Sequence, residues 1–481
     1  MTPAARIAAA IDLLAEVEAA PRRPADAVAN DFFRARRFIG AGDRRAVSDR
    51  TWGVLRARRR LGWWLSREGG EPTPRTLVAA ALLFDGWSPP GLGQAFSGGK
   101  FATEVLSRDE QKVLGGLVGH TLEHPAMPAA VRLEVPDWVL PRLAARFGAS
   151  LDAEMTAMLE PAPLDLRANL LKATRADARA ALAAEGFDAT PTRLSPWGLR
   201  LPGRRPVTAG AAFQSGLVEI QDEGSQLVAL LTDARPGMRV ADLCAGAGGK
   251  TLALAATMQN RGHIAACDVS APRLDAAVRR FRRAGAHNIE RHLLGAGDRW
   301  LKRHGGSFDR VLVDAPCTGT GTWRRNPDAR SRLTETDLAE LQVRQAESLE
   351  TAAPLVRKGG RLVYATCSLF PEENEAQVKA FLDRHQTFRM LPLAQAWPHA
   401  AAPKVASPPP LEGGGRGEGS SAPNLQCEPD TPCPQPRTPS YADGDSATPN
   451  RSLPCAGDTL TLTPRQHGTD GFFAAVLERS A

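Results

Sequence analysis

The chain has 481 residues, 43% hydrophobic and 23% charged, with 7 cysteines and a formal net charge of +7. At ~100 to 200 residues per domain this length predicts three domains and a linker, and no apolar run approaches the ~18 residues of a membrane helix, so no transmembrane segment is expected. A sparse, odd set of cysteines is no disulfide framework, and Asp12, Glu16 and Glu18 interrupt the N-terminal apolar stretch where a secretory signal would need continuity, so a cytoplasmic protein with free thiols is expected.

Residues 1–145 read as an all-α domain, because apolar positions in ARIAAAIDLLAEV and RTWGVLRARRRLGWWL recur at three- and four-residue spacing. Residues 1–70 hold 14 arginines, no lysine and 8 carboxylates, a local positive excess that suits a polyanion or an acidic protein and equally describes a solvated helix face. Residues 146–235 give strand, helix and strand in LDLRANLLKA, ADARAALAAEGF and GLRLPG, then a helix over 216–231, which together predict a small α+β module.

From 236 to 402 the apolar runs RVADLCA, HIAACDV, FDRVLVDAP and GRLVYATCS alternate with helix-like segments, the signature of a doubly wound α/β sheet with buried parallel strands. Residues 403–456 depart from it: 12 of the 38 prolines fall between 403 and 454, beside the run SPPPLEGGGRGEGSS. Such a stretch cannot build a core, so disorder is expected, and deletion of 404–452 is expected to leave activity intact. Cys427, Cys433 and Cys455 lie in or beside it without paired CxxC spacing, and no metal site is expected. Residues 457–481, containing LTPRQHGTDGFFAAVLERS, read as a strand that returns to complete the α/β domain.

The chemistry-bearing residues cluster at strand ends. The first α/β strand runs into Cys244-Ala245-Gly246-Ala247-Gly248-Gly249-Lys250. A phosphate loop would need glycine at 244 and the dinucleotide pattern GxGxxG would need it at 251, where Thr251 stands. What remains is a glycine turn suited to a cofactor without pyrophosphate, or a plain tight connection. Asp268 ends the next strand 22 residues beyond Gly246, an offset that suits ribose hydroxyls and also a helix cap. Asp298, after the third strand, could meet an adenine edge or stand in a solvated loop. Asp314 and Cys317 follow the fourth strand and Cys367 the fifth, so all face one crevice outside the carboxyl ends of the sheet. A single cysteine there would be a small buried hydrophobe. Two at adjacent strand ends, each expected near helix N-termini that lower thiol pKa, point to thiolate chemistry.

The motifs CAGAGGKT, VDAPCTGTG and ATCSLFPEENE, in this order, resemble those of the Sun/RsmB-type RNA cytosine C5-methyltransferases. The resemblance extends to DRRAVSDRTWGVLRARRRL, similar to the family's NusB-like helical RNA-binding domain, and to LDLRANLLKATR, similar to its small α+β RNA-binding module. It implies a Rossmann-like methyltransferase domain and transfer of a methyl group from S-adenosylmethionine to C5 of a cytosine in RNA, with bacterial 16S rRNA as the expected substrate. tRNA, another rRNA site, or non-catalytic RNA binding in ribosome assembly are the alternatives. By resemblance Cys367 is the nucleophile that adds to C6, Cys317 the cysteine that allows release, and Asp314 a group near the base and the cofactor's amino end. Residues 244–250, Asp268 and Asp298 would hold the cofactor, while Lys250 could instead organise the carboxylates. The family usually has proline at 247, where this chain has Ala247. The target cytosine must be unpaired to reach both thiol and methyl donor, and a monomer is expected. Trp323, Arg324 and Arg325 beside the site could stack bases and grip phosphates, or simply pack the loop.

Overall fold

The computed structural model describes residues 1–203, 205–397 and 457–480. The proline-rich stretch 403–456, with Cys427, Cys433 and Cys455, lies outside the described residues.

The N-terminal part is helical, as its periodicity predicts. Its first helix, Pro3–Glu18, starts with Thr2 accepting a hydrogen bond from the Ala5 N–H and with proline in the first turn, both favourable at a helix start. Ile7, Ala10, Leu14 and Val17 fall on one face and are buried, joining a core that runs from Ile7 to Met127. Residues Ala130 to Met158 belong to a different cluster, packed against Trp323, Leu338, Leu369 and Phe370. The expected boundary near residue 145 thus falls inside a segment whose apolar contacts are with the α/β domain.

The small module forms a four-stranded antiparallel sheet from β1 (Leu164–Ala168), β2 (Thr190–Pro191), β3 (Gly198–Leu201) and β4 (Val218–Ile220), in the order β2-β3-β1-β4. The strand β4 was not expected: residues 216–231 read as helix, whereas only Glu223–Leu231 is helical. Three residues are too short for a periodic signal, and pairing with β1 rather than local propensity makes them a strand.

The α/β domain carries β5 (Arg239–Asp242), β6 (His263–Asp268), β7 (Ile289–Leu293), β8 (Phe308–Asp314), β9 (Val356–Thr366), β10 (Phe388–Met390), β11 (Thr459–Leu462) and β12 (Phe472–Arg479). Their order is β10-β12-β9-β8-β5-β6-β7, with β11 also on β12. The five strands β7-β6-β5-β8-β9 are parallel, and β12 returns antiparallel to β9. Val311, Leu312 and Val313 of β8 have no exposed surface, and each such side chain contributes roughly 1.5–3 kcal/mol of burial. The chain reverses direction across the sheet between β5 and β8, so the carboxyl ends of β5, β6, β8 and β9 open on one crevice, the usual ligand position of such sheets.

Candidate active site

The two cysteines meet. The first loop residues after β8 carry Cys317, Cys367 follows directly on β9, and their sulfur atoms are 3.4 Å apart. Both side chains are half-buried. The expectation that helix N-termini depress these thiols does not hold for Cys317, since the helix after it is one short turn, Thr320–Thr322. Its pKa is held well above the usual value by the hydrogen bond to Cys367, by burial and by the charges of Cys367 and Glu373. Burial and the surrounding groups thus favour the neutral form of Cys317, and either sulfur can donate in the contact between them.

A buried carboxylate fixes this pair. Glu373 has no exposed surface. Its oxygens accept hydrogen bonds from the Thr318 N–H at 2.9 Å, from Gln345 Nε2 at 2.8 Å, and from the hydroxyls of Thr318 and Ser368. It thus ties the residue after one cysteine to the residue after the other. Asn374, also fully buried, donates from Nδ2 to the Ser368 carbonyl at 2.9 Å and accepts from the Thr366 hydroxyl. Gly321 N–H reaches the Cys367 carbonyl at 2.9 Å. The motif containing these acids is visible in the sequence, but nothing there distinguishes Glu373 as the member that turns inward.

Beside the sulfurs, Lys250 Nζ donates to Asp314 Oδ2 at 2.7 Å. Burial opposes the charge of Lys250, yet Asp314, Cys367 and Asp242 together outweigh it and hold its pKa above the ordinary value. Asp242, which sequence reasoning did not single out, ends β5 and is 1% exposed. It accepts from the Thr251 hydroxyl at 2.7 Å through Oδ2, while its Oδ1 has no partner. Burial raises its pKa to about 7. Cys244 sits at the same strand end and is inert by comparison, its thiol pushed up to about 12 by burial.

The glycine loop wraps as a ligand cradle. Gly246 and Gly248 have φ of +54° and +80°, and a side chain on Gly248 would come within 2.4 Å of Phe281, so glycine is required there. Space around Gly246 is open. Ala245 is buried, and the Ala247 carbonyl accepts from Arg280 at 2.7 Å. The Gly249 carbonyl accepts from Arg167 of the small module at 3.0 Å. Asp268 uses Oδ2 to hold the Gly246 N–H and Oδ1 to hold the Ser270 N–H, both at 2.8 Å, so it braces the cradle as well as facing it. Asp298 has both oxygens engaged within the protein, capping the next helix through Trp300 N–H and bonding His292 Nε2 at 2.5 Å. The cradle, with Asp268 and Asp314 against the single ammonium of Lys250, fits a ligand that bears positive charge, as the sulfonium and amino groups of S-adenosylmethionine do.

Trp323, Arg324 and Arg325 do not face a ligand. Trp323 is fully buried. Arg324 and Arg325 both bind the Asp470 carboxylate at 2.5 Å, and Arg325 also binds Asp222 at 2.7 Å. Their partners come from the loop before β12 and from the small module, which local sequence cannot reveal. The packing role is the correct one.

Comparison with known proteins places this geometry. Residues 229–478 match the model of the 16S rRNA methyltransferase RsmB/F family, and residues 135–208 match the ferredoxin-like domain of the RsmF/B-like methyltransferases. The chain is 31% identical to a probable ribosomal RNA small subunit methyltransferase B from Synechocystis, over 76% of its own length and 86% of that protein. It is 35% identical to the ribosomal RNA small subunit methyltransferase B of Serratia proteamaculans, over 53% of its own length and 59% of that protein. A methyltransferase homologue from Pyrococcus horikoshii of known structure superposes with a TM-score of 0.54 at 28% identity, covering 74% of this chain and all of that one. The chain belongs to the RsmB/F family of 16S rRNA methyltransferases, whose methyl donor is S-adenosylmethionine.

Proposed function

We propose that the protein methylates C5 of an unpaired cytosine in 16S rRNA through a transient covalent bond between Cys367 and C6. Cytosine C5 is too weakly nucleophilic to be alkylated directly, and addition of a thiolate at C6 makes it enamine-like. Bound S-adenosylmethionine would supply an electrophilic methyl group, held by residues 244–250 with Asp268. Cys367 attacks C6 as its thiolate. Asp314 holds Lys250 in place and is within the crevice to hydrogen-bond the base edge. Once the Cys367 sulfur is bonded to carbon it is no longer an anion, so the contact that keeps Cys317 protonated is gone. Cys317 then gives its own proton to solvent more readily, and the resulting thiolate takes the proton from the methylated C5. Removal of that proton restores the C5–C6 double bond and expels Cys367 as thiolate.

The observation that supports this reading is the 3.4 Å separation of the two sulfurs, which allows one to serve the other at a single carbon–carbon bond. An rRNA substrate would put the enzyme in the cytoplasm, acting as a monomer on a partly assembled subunit. The test is bisulfite mapping of 16S rRNA from a deletion strain, complemented with wild type or with Cys367→Ala. Wild type should restore one 5-methylcytosine and the variant none. A 16S rRNA map that is unchanged by deletion would exclude this substrate.

A further inference from the structure

The glycine loop of the crevice is gripped from behind. Gly246, Gly248 and Gly249 carry no side chain that could pack it in place, and glycine gives up more backbone freedom on being fixed than any other residue. Three contacts from outside the loop oppose that freedom. Asp268 at the end of β6 holds the Gly246 N–H, Arg280 of the helix Ala271–Ala284 holds the Ala247 carbonyl, and Arg167 of β1 holds the Gly249 carbonyl. Gly249 opens the helix Gly249–Thr257, whose cap residue Gly248 makes no side-chain cap bond, so the Arg167 contact acts where the loop turns into helix. Packing does not account for Arg167. It is 3% exposed, and no carboxylate lies within salt-bridge distance of it among the described residues, since Glu219, opposite it on β4, is bound to Arg280 and Arg283 at 3.3 and 2.6 Å. A buried charge without a paired counter-charge is costly, and an apolar residue here would avoid that cost. Burial brings its pKa down to about 10, which leaves it charged at neutral pH. Its Nη1 makes both of its bonds, to Gln221 Oε1 and to the Gly249 carbonyl at 3.0 Å, while Nε has no partner. Gln221, which follows β4, is itself fixed through Nε2 on the Ser225 hydroxyl at 3.0 Å. Ser225, Gln221 and Arg167 thus aim a cation out of the small module at the backbone of the loop.

We infer that Arg167 is a positioning residue for the methyl donor: through this guanidinium the small module holds the loop 244–250 in the shape that receives S-adenosylmethionine. This rests on the reading that residues 244–250 hold the donor, and adds that a residue outside the α/β domain sets its affinity. A loop fixed before the ligand arrives loses less freedom on binding, so the grip is felt as affinity for the donor.

The test uses the full chain without RNA and titrates S-adenosylmethionine by calorimetry. Arg167→Met keeps an apolar stem and removes the donors, so it should raise Kd roughly tenfold, as the loss of a charged hydrogen bond does, with the stoichiometry of binding unchanged. In the donor-free protein, amides of residues 244–250 should exchange faster in this variant than in wild type. Arg167→Lys, whose ammonium can still donate, should bring Kd back to within about threefold of wild type. If Arg167→Met does not fold, Gln221→Leu removes the acceptor that aims the guanidinium and should raise Kd severalfold. An unaltered Kd in whichever of these two variants folds would overturn the inference. A fall in stoichiometry at wild-type Kd would overturn it too, because a residue that only packs lowers the folded fraction and not the affinity of what remains. Asp268→Ala, which touches the loop from its other side, separates the two readings. Weakened binding there beside wild-type binding in Arg167→Met refutes the role of Arg167 alone, whereas wild-type binding in both refutes the assignment of residues 244–250 to the donor.

Discussion

At the scale of single residues the two sulfur atoms carry opposite assignments, and they can be separated. Cys367→Ala should abolish methyl transfer while RNA binding persists. Cys317→Ala should instead accumulate an RNA–protein adduct that survives denaturing electrophoresis, because the bond at C6 forms and is not released; free turnover by that variant would refute the division of roles. Asp242 gives a test independent of RNA. Its folded-state pKa of about 7 lies above its ordinary 3.8, so between those values the native protein keeps a proton that the unfolded chain has lost, and stability falls as pH rises through that window. Asp242→Asn keeps an oxygen for the Thr251 hydroxyl and removes the ionisation. At about 1.4 kcal/mol per pH unit of separation, the variant should gain a few kcal/mol over wild type between pH 4 and pH 8, read as a widening gap in denaturant midpoints. Parallel pH profiles would show that Asp242 is not buried as a proton-binding acid. That Cys367, Cys317, Asp314 and the glycine loop gather outside the strand ends was legible in the sequence, because each directly follows an apolar strand run. Asp242, Glu373 and the internal pairing of Arg324 and Arg325 were not, because those roles depend on which way a side chain turns and on partners as far away as Asp470.

Elements decide whether the two sulfurs stay at working distance. The loops after β8 and β9 have little regular structure of their own, and Glu373 substitutes for it by accepting from Thr318, Gln345 and Ser368. Glu373→Ala would leave the Thr318 N–H and the Thr318 and Ser368 hydroxyls without the carboxylate that accepts from them, at about 1–3 kcal/mol for each group left unmet, while Gln345 Nε2 would keep the Pro316 carbonyl at 2.9 Å. The expected outcome is a loss of several kcal/mol in unfolding free energy and a fall in adduct formation at temperatures where the variant is still folded. Wild-type adduct yield in a folded Glu373→Ala protein would show that the sulfurs are spaced by something else. Apolar runs made four of the five parallel strands and the returning β12 readable, whereas the edge strand β7 reads IERHL and buries none of its residues. The three-residue β4 left no such trace, and neither did the way residues 130–158 lean on the α/β domain, because an amphipathic helix announces that it has a buried face without saying what covers it.

Across the whole molecule, the helical domain is docked on the same loop region that follows Cys317. Arg56 donates to the Arg324 carbonyl at 2.9 Å, and Glu134 accepts from the Arg59 and Arg60 N–H groups at 2.9 and 3.0 Å. The most telling contact is at the start of the helix Ala25–Ala35. Pro24 occupies its cap position and makes no side-chain cap bond, so the helix lacks the acceptor that such an end ordinarily finds in its own sequence. Asp328, 303 residues further along, supplies it: its carboxylate accepts from the Ala25 N–H at 3.0 Å and from Arg332 Nε at 2.9 Å. An anion at that position also meets the positive end of the helix dipole. Asp328→Ala would strand a buried N–H, at about 1–3 kcal/mol, whereas Arg332 is exposed enough for water to replace the lost partner. Docking of the helical domain should therefore weaken before the α/β sheet does. Hydrogen exchange would read this directly: amides of residues 25–35 should exchange faster in the variant while those of β8 and β9 keep their wild-type protection. Unchanged exchange at residues 25–35 would mean that the helix is anchored by its apolar face alone, and that the α/β domain and the helical domain communicate by some route other than Asp328.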